Sequence, residues 1–282
     1  MVNILKSGFF STVQDNGRYG YRDQGVPVSG VMDAFSAFQV NTLLENGNNA
    51  AVLEITMTGP TLEFQEETYI AIGGADMLAT INNEAIQGYS VYKINRGDVL
   101  AFGKLQKGFR VYLGIKDGFK TASVLGSRSF YRPITESDSL KSGSSLPYLA
   151  CKAFEPKISK MKLDTVLDNS VLEVYRGPEF EQLTDRQLGR LFSNEFSIAK
   201  ENNRMAYQLN EGIEGSSGSM LTSATLPGTV QLTPAGKLIV LMKDGQTTGG
   251  YPRILQLSDR SISILAQKRM GDPIHFALKH GG

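Results

Sequence analysis

AVLEITMTGPTLEF, residues 51–64, is the first of a series of short apolar runs that decide the fold of this chain. The runs that follow it in the first half are YIAIGGA (69–75), MLATINN (77–83), SVYKINRGDVLAFG (90–103) and FRVYLGI (109–115). Each has the length of one or two β-strands, and Asn82-Asn83, Arg96-Gly97-Asp98 and Lys107-Gly108 stand where hairpin turns are expected. The first half is therefore predicted to be mostly β, folded back on itself as in barrel-like domains.

The second half repeats this pattern. Its predicted strands are VLEVYRGPEF (171–180), FSIAK (196–200), MAYQL (205–209), GTVQLT (228–233), KLIVLM (237–242), RILQL (253–257), ISILA (262–266) and PIHFAL (273–278). Short helices are predicted at residues 33–44, with Asp33 as N-cap, and at residues 183–192, capped by Thr184 or Asp185. The sequence predicts a mainly β fold in two β subdomains, 1–156 and 157–282, divided near the charged stretch AFEPKISKMK (153–162).

Composition excludes several classes of protein. The chain has 282 residues, near the size at which single cores stop growing, and it contains no run of about 20 apolar residues, so no membrane span is expected. Its formal net charge of +1, without a basic block, argues against nucleic-acid binding. The N-terminal residues do not resemble a secretory signal and Cys151 is the single cysteine, so a cytoplasmic location is expected.

Residues 12–33, TVQDNGRYGYRDQGVPVSGVMD, combine glycines with many charged and amide side chains. No sustained apolar period runs through them, so they are predicted to form either a folded surface loop or a binding loop. Asp33, at the end of this stretch, has two possible roles. It can cap the following helix or face the loop as a site residue, and the two roles are compatible.

A second polar loop, DGQTTGGYPR (244–253), lies between two apolar runs. Its hydroxyl and amide groups exceed what a hairpin turn needs, so a binding loop is predicted. Arg204, just before a predicted strand, is a candidate clamp for a carboxylate or phosphate. LGSRSFYR (125–132) offers Arg128 and Arg132 for an anion, although a solvated crossover between domains is also compatible with it.

Several familiar catalytic patterns are missing. The two histidines, His275 and His280, stand near the end of the sequence, and alternation places His275 on the solvent side of a strand. No HExxH motif or cysteine–histidine pair is present, so a Ser-His-Asp hydrolase or a zinc enzyme is not expected and no metal site is evident. No GxxxxGK[ST] motif occurs, so no P-loop ATP site is predicted on this chain.

The long motifs together resemble one protein family. TVQDNGRYGYRDQGVPVSGVMDAFS (12–36), GPTLEF (59–64), LGSRSF (125–130), DGQTTGGYP (244–252) and LAQKRMGDPIHF (265–276) are similar, in this order, to the KipA family. This is the biotin-dependent carboxyltransferase-like group that includes the C subunit of bacterial 5-oxoprolinase and an allophanate-hydrolase-type domain of urea carboxylase. The resemblance implies a cyclophilin-like β-barrel architecture and a cytoplasmic protein.

The resemblance also implies a function and partners. It implies an ATP-dependent 5-oxoprolinase complex that opens 5-oxo-L-proline to L-glutamate, in which KipI-like and LamB/YcsF-like subunits assemble with this chain. ATP would be used by the complex, at a site not identifiable on this chain. Two alternatives stay open: a non-enzymatic regulator that binds a KipI-like kinase inhibitor, and the carboxyltransferase component of a biotin-dependent urea carboxylase. The presence of GQTTGGY (245–251), where urea carboxylases carry GPSLGGF-like residues, favours the oxoprolinase.

Site residues follow from the motifs that match the family. Asp33 is the candidate general base or orienter of water, and Arg204 the second catalytic candidate, although Ala199-Lys200-Glu201 depart from the family pattern before it. The candidate substrate-binding residues are Gln14, Arg18, Ser29, Gly30, Asn41, Gln246, Thr247, Thr248, Gly249, Gly250 and Tyr251. The hypothesis is that the loop ending in Asp33 and the loop 246–251 face one another across a cleft and bind 5-oxoproline, a small cyclic amide.

Overall fold

The computed structural model describes residues 1–162, 166–215 and 220–279. Contacts divide the chain into two compact units. Unit 1 comprises Met1–Arg18 and Ser29–Leu167, and unit 2 comprises Tyr19–Val28 and Asp168–Gly282. The segment Tyr19–Val28 therefore belongs with the second half of the chain, a feature that the proposed division into 1–156 and 157–282 does not contain. His280 lies outside the described residues.

The described residues of unit 1 form two antiparallel sheets and one helix. Its strands are β1 (Val2–Lys6), β2 (Phe10–Gln14), β3 (Val52–Thr56), β4 (Thr61–Phe64), β5 (Thr68–Asp76), β6 (Thr80–Ile81), β7 (Glu84–Ala85), β8 (Val91–Ile94), β9 (Val99–Ala101), β10 (Lys107–Ile115) and β11 (Ser145–Leu146). The sheet orders are β11-β1-β4-β9-β6-β7 and β2-β3-β10-β5-β8. Residues 12–14, assigned to a loop from the sequence, belong to β2, where they pair with β3.

The core of unit 1 lies between its two sheets. Ile4 and Leu62 from one sheet and Leu53, Ile70 and Leu113 from the other are buried in a single apolar cluster. Because side chains alternate along a strand, the neighbouring residues of the second sheet point to its other face. There they form a second cluster with the helix α1 (Ala34–Leu43), which covers that face.

Unit 2 contains a closed seven-stranded barrel. The strands described in unit 2, seven in the barrel and two outside it, are β12 (Val171–Arg176), β13 (Phe196–Asn202), β14 (Ala206–Gly212), β15 (Ser223–Ala224), β16 (Thr229–Leu232), β17 (Lys237–Leu241), β18 (Thr248–Gly249), β19 (Arg253–Leu257) and β20 (Pro273–Leu278). The barrel order is β12-β19-β16-β17-β14-β13-β20, and the parallel pair β12 and β20 closes it. Strands β15 and β18 form a separate two-stranded sheet. The mainly β, barrel-containing class with a few short helices is confirmed.

Two further helices are found in the described part of unit 2. Helix α2 (Asp185–Ser193) is capped by Thr184, one of the two predicted candidates, and Gln187 completes a capping box. Helix α3 (Asp259–Ala266) begins at Ser258, whose hydroxyl accepts from the Ser261 N–H. The prediction of a strand at 262–266 is therefore wrong, because the cap at Ser258 starts a helix that buries nearly all its residues.

Of the three hairpin turns predicted from the sequence, one is present in the structure. Asn82 and Asn83 both have positive φ and join β6 to β7 as a tight hairpin, as expected. The turn at residues 96–98 is not a hairpin, because β8 and β9 belong to different sheets. Gly108 lies inside β10, at an irregularity in its pairing with β5, so residues 107–108 form no turn between strands.

Among the described residues, no helix has the length and apolar character needed to cross a membrane.

Candidate functional site

In unit 1, the carboxylate of Asp15 organises the polar residues that follow β2. Its Oδ1 accepts from the Gly17 N–H at 2.8 Å and from the hydroxyls of Ser127 and Ser129 at 2.6 and 2.7 Å. Its Oδ2 accepts from the Arg128 N–H at 2.7 Å. Asp15 thereby joins the first glycine-rich motif to the LGSRSF motif, which lies more than a hundred residues away in the chain.

The predicted residues Gln14, Arg18, Ser29 and Gly30 lie around this carboxylate. Gln14 donates through Nε2 to the Phe130 carbonyl at 3.3 Å, and Arg18 donates to the Ser129 carbonyl at 2.5 Å. All of these side chains are buried, and Ser29 adopts a φ of 56°. Gly30 has a φ of 83°, and a Cβ there would lie 2.8 Å from the backbone of Asn16, so only glycine fits.

Asp33 caps α1 and is fully buried. Its Oδ1 accepts from the Ser36 N–H at 3.0 Å and its Oδ2 from the Ser36 hydroxyl at 2.6 Å. The Tyr89 hydroxyl donates in turn to the Ser36 hydroxyl at 3.2 Å, and accepts from the Gly74 N–H at 2.9 Å. The predicted N-cap is confirmed, and the carboxylate reaches the Tyr89 phenol through one serine.

A buried ionic group lies next to this cap. Glu54 Oε2 accepts from the Tyr112 hydroxyl at 2.9 Å and from the Met32 N–H at 2.7 Å, and Arg110 lies 3.7 Å from Glu54 Oε1. The Tyr112 hydroxyl also accepts from the Asp33 N–H at 2.8 Å. Burial, together with the negative charges of Glu54 and Asp33, raises the pKa of Tyr112 well above its usual value, so the phenol is neutral at physiological pH.

Asn41 lies on α1 beside a cavity of about 280 Å³ that Asp15, Asn16 and Asn48 also line. Its amide nitrogen donates to the Ala50 carbonyl at 3.0 Å, and its oxygen accepts from Asn46 at 2.9 Å. Asn41 therefore holds the loop after α1 in place at the edge of this cavity.

In unit 2, the loop of residues 242–252 is more than a hairpin. It leaves β17 and enters β19, but these two strands are not neighbours in the barrel, because β16 lies between them. The connection must pass over one end of β16, and it pairs on the way with β15 through Thr248 and Gly249. This topology explains its length, which local turn chemistry does not.

Ion pairs hold both ends of this loop. At its start, Asp244 receives two hydrogen bonds from the Arg204 guanidinium, at 2.7 and 3.1 Å, and both residues are more than nine-tenths buried. At its end, Arg253 donates to Glu179 from Nε at 2.9 Å and from a terminal nitrogen at 2.7 Å. The hydrogen bonds from Arg253 lower the pKa of Glu179. Arg204 is predicted to clamp a ligand carboxylate or phosphate, and in the structure its guanidinium binds the Asp244 carboxylate of this loop.

Between these anchors the loop presents polar groups over a buried glycine. Thr225 donates from its hydroxyl to the Gln246 carbonyl at 2.5 Å, which fixes the loop backbone. The side chains of Gln246, Thr248 and Tyr251 are exposed, whereas Gly249 is buried. A Cβ at Gly249 would lie 2.4 Å from Gln231 Nε2 and 2.7 Å from Gln246 Nε2, so two side-chain amides meet over this glycine.

Unit 2 also has a cavity of about 430 Å³ that includes residues of the early loop. Arg22, Tyr19 and Val28 line it with Tyr175 and Lys243. Arg22 also donates to the Thr225 carbonyl, and burial lowers its pKa. The segment Tyr19–Val28 is thus held by the same Thr225 that fixes the loop 246–251.

The structure groups the predicted residues into two sets. Gln14, Arg18, Ser29 and Gly30 surround Asp15 in unit 1, with Asp33 and Asn41 on the adjoining helix. Arg204 and residues 246–251 belong to unit 2, and the prediction that the two sets form one site stays a prediction.

Three further buried polar residues, not predicted as site candidates, lie among these groups: Gln231, Glu54 and Tyr112. A glutamine or glutamate inside an otherwise apolar strand was the available signal, since such residues are rarely buried without a partner. In the described residues, no three His, Cys, Asp or Glu side chains come together as metal ligands would, and His275 is half-exposed, 3.7 Å from Glu195.

Comparison with known proteins places the chain among carboxyltransferase-type proteins. The chain is 32% identical over 282 residues to the 5-oxoprolinase C subunit of Escherichia coli (strain K12), covering 98% of this chain and 90% of that protein. It is 28% identical to the 5-oxoprolinase C subunit of Haemophilus influenzae, with the same coverage.

Solved structures show the same fold. The crystal structure of TTHA0988 is similar with a TM-score of 0.89 and 28% identity, over 98% of this chain and 55% of that chain. The K. lactis urea amidolyase is similar with a TM-score of 0.86 and 26% identity, and the chain spans 18% of it. Residues 24–278 match the family described as "Carboxyltransferase domain, subdomain A and B", and the chain therefore belongs to this family.

Proposed function

We propose that this chain is part of an ATP-dependent 5-oxoprolinase complex that opens 5-oxo-L-proline to L-glutamate. The observation that carries the proposal is the 32% identity to the E. coli 5-oxoprolinase C subunit, which extends over 98% of this chain and 90% of that protein. The partners proposed are KipI-like and LamB/YcsF-like subunits, and the location proposed is the cytoplasm. ATP is the proposed co-substrate of the complex, with its binding site not assigned to this chain.

The proposed substrate contact is the loop 246–251. Its hydroxyl and amide groups are exposed at one end of the barrel, and the buried Arg204–Asp244 pair and the Arg253–Glu179 pair hold its ends. Such anchoring favours recognition, because a binding group that is already ordered loses less entropy when the ligand arrives. Arg204 then acts as a positioning residue through Asp244.

Asp33 is the proposed proton acceptor. Its carboxylate is fully buried and bonded to the Ser36 hydroxyl at 2.6 Å, so the proposed path for the proton runs through Ser36 to Asp33. The buried Arg18 and Gln14, with Asn41 on α1, are proposed to maintain the shape of the polar region around Asp15. This role agrees with the hydrogen bonds that tie Arg18 and Gln14 to residues 129–130.

The test is reconstitution with the partner chains. The full chain, co-expressed with a KipI-like and a LamB/YcsF-like protein from the same genome, is purified and supplied with 5-oxo-L-proline and ATP. Release of L-glutamate together with phosphate, dependent on all three chains and on ATP, is the expected result. A stable complex that turns over neither 5-oxo-L-proline nor other cyclic amides would refute the proposal and favour the regulatory alternative.

A second candidate function is carboxyl transfer. The family match is to a carboxyltransferase domain, and the K. lactis urea amidolyase shares the fold at a TM-score of 0.86. This function requires a biotin carboxylase and a biotinyl carrier on other chains. Incorporation of labelled bicarbonate into urea by the chain with those partners, and no ring opening of 5-oxo-L-proline, would favour it over the oxoprolinase.

A further inference from the structure

Two glutamines on neighbouring barrel strands differ in how their side-chain amides are used. Gln256 on β19 is fully engaged: its Oε1 accepts from the Thr229 hydroxyl at 2.9 Å and its Nε2 donates to the Pro227 carbonyl at 2.7 Å. Gln231 on β16 is 1% exposed, and its Nε2 has no hydrogen-bond partner among the described residues. Gln256 is therefore part of the fold, whereas Gln231 retains an unused donor.

An unused buried donor calls for a physical reason. A buried N–H without an acceptor destabilises the folded state, and nearly all buried polar atoms are hydrogen-bonded. Gln231 holds its amide at a position where no described backbone or side-chain group accepts from it. A partner that comes from outside the chain would account for its retention.

Gly249 determines where this amide lies. A Cβ at residue 249 would come within 2.4 Å of Gln231 Nε2 and 2.7 Å of Gln246 Nε2, so both carboxamides rest against the glycine Cα. The φ of Gly249 is outside the left-handed region, so its backbone does not require glycine. The missing side chain instead leaves room for the two amides to meet.

The side chain of Gln246 can turn without any movement of the backbone. Its carbonyl is held by the Thr225 hydroxyl at 2.5 Å, which fixes the main chain. Its side chain is exposed, and in the described part of the chain no group is bonded to its amide. Rotation of this one side chain would carry its amide away from Gly249, against which the Gln231 amide also lies.

We propose that Gln231 and Gln246 form a carboxamide pair that binds the cis-amide edge of a small substrate. A carboxamide presents an N–H donor and a C=O acceptor side by side, and a cis amide presents the complementary acceptor and donor. Lactams and ureas hold this edge in place by their covalent structure. The pair carries no charge, so it suits a neutral amide, whereas a carboxylate would be matched by arginine.

The choice of a lactam as ligand rests on the proposed function. The inference extends the proposed substrate contact from the loop 246–251 to Gln231 on β16. The ligand side is tested by isothermal titration of the full chain, and of the reconstituted complex, with 5-oxo-L-proline, urea and L-proline. L-Proline has the same ring and carboxylate but lacks the lactam carbonyl. Binding of 5-oxo-L-proline or urea at least tenfold tighter than L-proline is expected.

Three variants test the protein side. Gln231→Leu removes both polar groups at similar volume and is expected to weaken binding of the preferred amide about tenfold while leaving the melting temperature unchanged or higher. Gly249→Ala, which crowds the two amides, is expected to weaken binding similarly. Gln256→Leu is the matched control: it breaks two internal hydrogen bonds, so it should lower the melting temperature and leave the affinity within about twofold.

The outcomes separate this inference from the proposed function. Unchanged affinity in Gln231→Leu, or binding of neither amide to the chain or the complex, would overturn the carboxamide pair even if the complex hydrolyses 5-oxo-L-proline. Conversely, tight binding that depends on Gln231, in a complex without ATP-dependent ring opening, supports the pair and refutes the oxoprolinase. Preference for urea over 5-oxo-L-proline would support the pair with the carboxyltransferase function.

Discussion

Asp33 is both the cap of α1 and the proposed proton acceptor, and one substitution separates the two roles. Asparagine caps helices about as well as aspartate, so Asp33→Asn is expected to lower the free energy of unfolding by less than about 1 kcal/mol. It removes the carboxylate charge, so turnover by the complex is expected to fall about 10²- to 10⁴-fold. Guanidinium chloride denaturation of the chain and steady-state turnover of the reconstituted complex measure the two effects.

Ser36→Ala is the partner variant for Asp33. It deletes the hydroxyl that donates to Asp33 Oδ2 and leaves the carboxylate and the backbone cap in place. If the proton path runs through Ser36, turnover should fall in this variant as well. Full turnover in a well-folded Asp33→Asn complex would remove Asp33 from the mechanism and leave it only as a cap.

Arg204 is expected to matter for stability as much as for activity. Arg204→Met leaves the Asp244 carboxyl group buried without its partner, which costs about 3–5 kcal/mol of unfolding free energy. Adding Asp244→Leu should recover most of this loss, because the double variant buries no charge. Chemical denaturation of the single and double variants measures both values.

An exposed ion pair supplies the control for Arg204. Arg186 and Glu214 lie 2.9 Å apart with side chains 69% and 41% exposed, so Arg186→Met should cost less than about 1 kcal/mol. Similar losses in Arg186→Met and Arg204→Met would contradict the assignment of Arg204 to a buried, loop-positioning pair.

The ion pair that anchors the end of the loop 246–251, Arg253–Glu179, makes a contribution to stability whose dependence on pH can be predicted. Hydrogen bonds from Arg253 lower the pKa of Glu179, so the folded state favours the ionised carboxylate. The stability this contributes is complete above the unfolded-state pKa, about 4.3, and is lost as the pH falls through the lower folded-state pKa. Glu179→Gln should therefore lose less stability than the wild type over this acidic range.

Melting temperatures of wild type and Glu179→Gln, measured between about pH 6 and pH 3, test this expectation, because the other carboxylates are common to both proteins. The difference in stability between wild type and Glu179→Gln should become smaller as the pH falls. Parallel curves would mean that the Arg253–Glu179 pair does not anchor the loop in solution.

The sequence predicts a structural element correctly where residues close together in the chain determine it. The helix cap at Thr184, one of the two candidates that the sequence offers, and the Asn82-Asn83 turn each involve residues within a few positions of one another, and the sequence predicts both. Helix α3 was mistaken for a strand because its short apolar run fits either period. Ser258, three residues before Ser261, was the local cap signal that distinguishes them.

Contacts between distant residues could not be predicted in this way. The hairpin expected at residues 96–98 fails because β9 pairs with β4 and β6 and not with β8. The candidate site could not be predicted for the same reason. Asp15 contacts Ser127 and Ser129, and Gln231 lies beside Gly249, only because the folded chain brings distant segments together. Surplus polarity pointed to the loop 246–251, but not to the strand residue beneath it.

At the scale of the whole molecule, the segment Tyr19–Val28 belongs to a different unit from its neighbours in the sequence. Sequence position joins this segment to the first half, whereas its contacts assign it to unit 2. Arg22 donates to the Thr225 carbonyl, 203 residues away, and Val28 lines a cavity with Tyr175. The backbone N–H groups of this segment should therefore become exposed to hydrogen exchange when unit 2 unfolds locally.

Matched core substitutions and hydrogen exchange test this assignment. Leu113→Ala in unit 1 and Leu238→Ala in unit 2 each truncate a fully buried leucine, at a cost of about 2–5 kcal/mol. The N–H groups of Gln24, Gly25 and Val26, bonded to carbonyls of residues 21–22, report on the segment. Their protection should fall in Leu238→Ala and remain near the wild-type value in Leu113→Ala, because local opening follows the contacts that hold a segment. Equal loss in both variants would show that the two units open together, and loss only in Leu113→Ala would show that sequence neighbours, and not the contacts with unit 2, hold the segment in place.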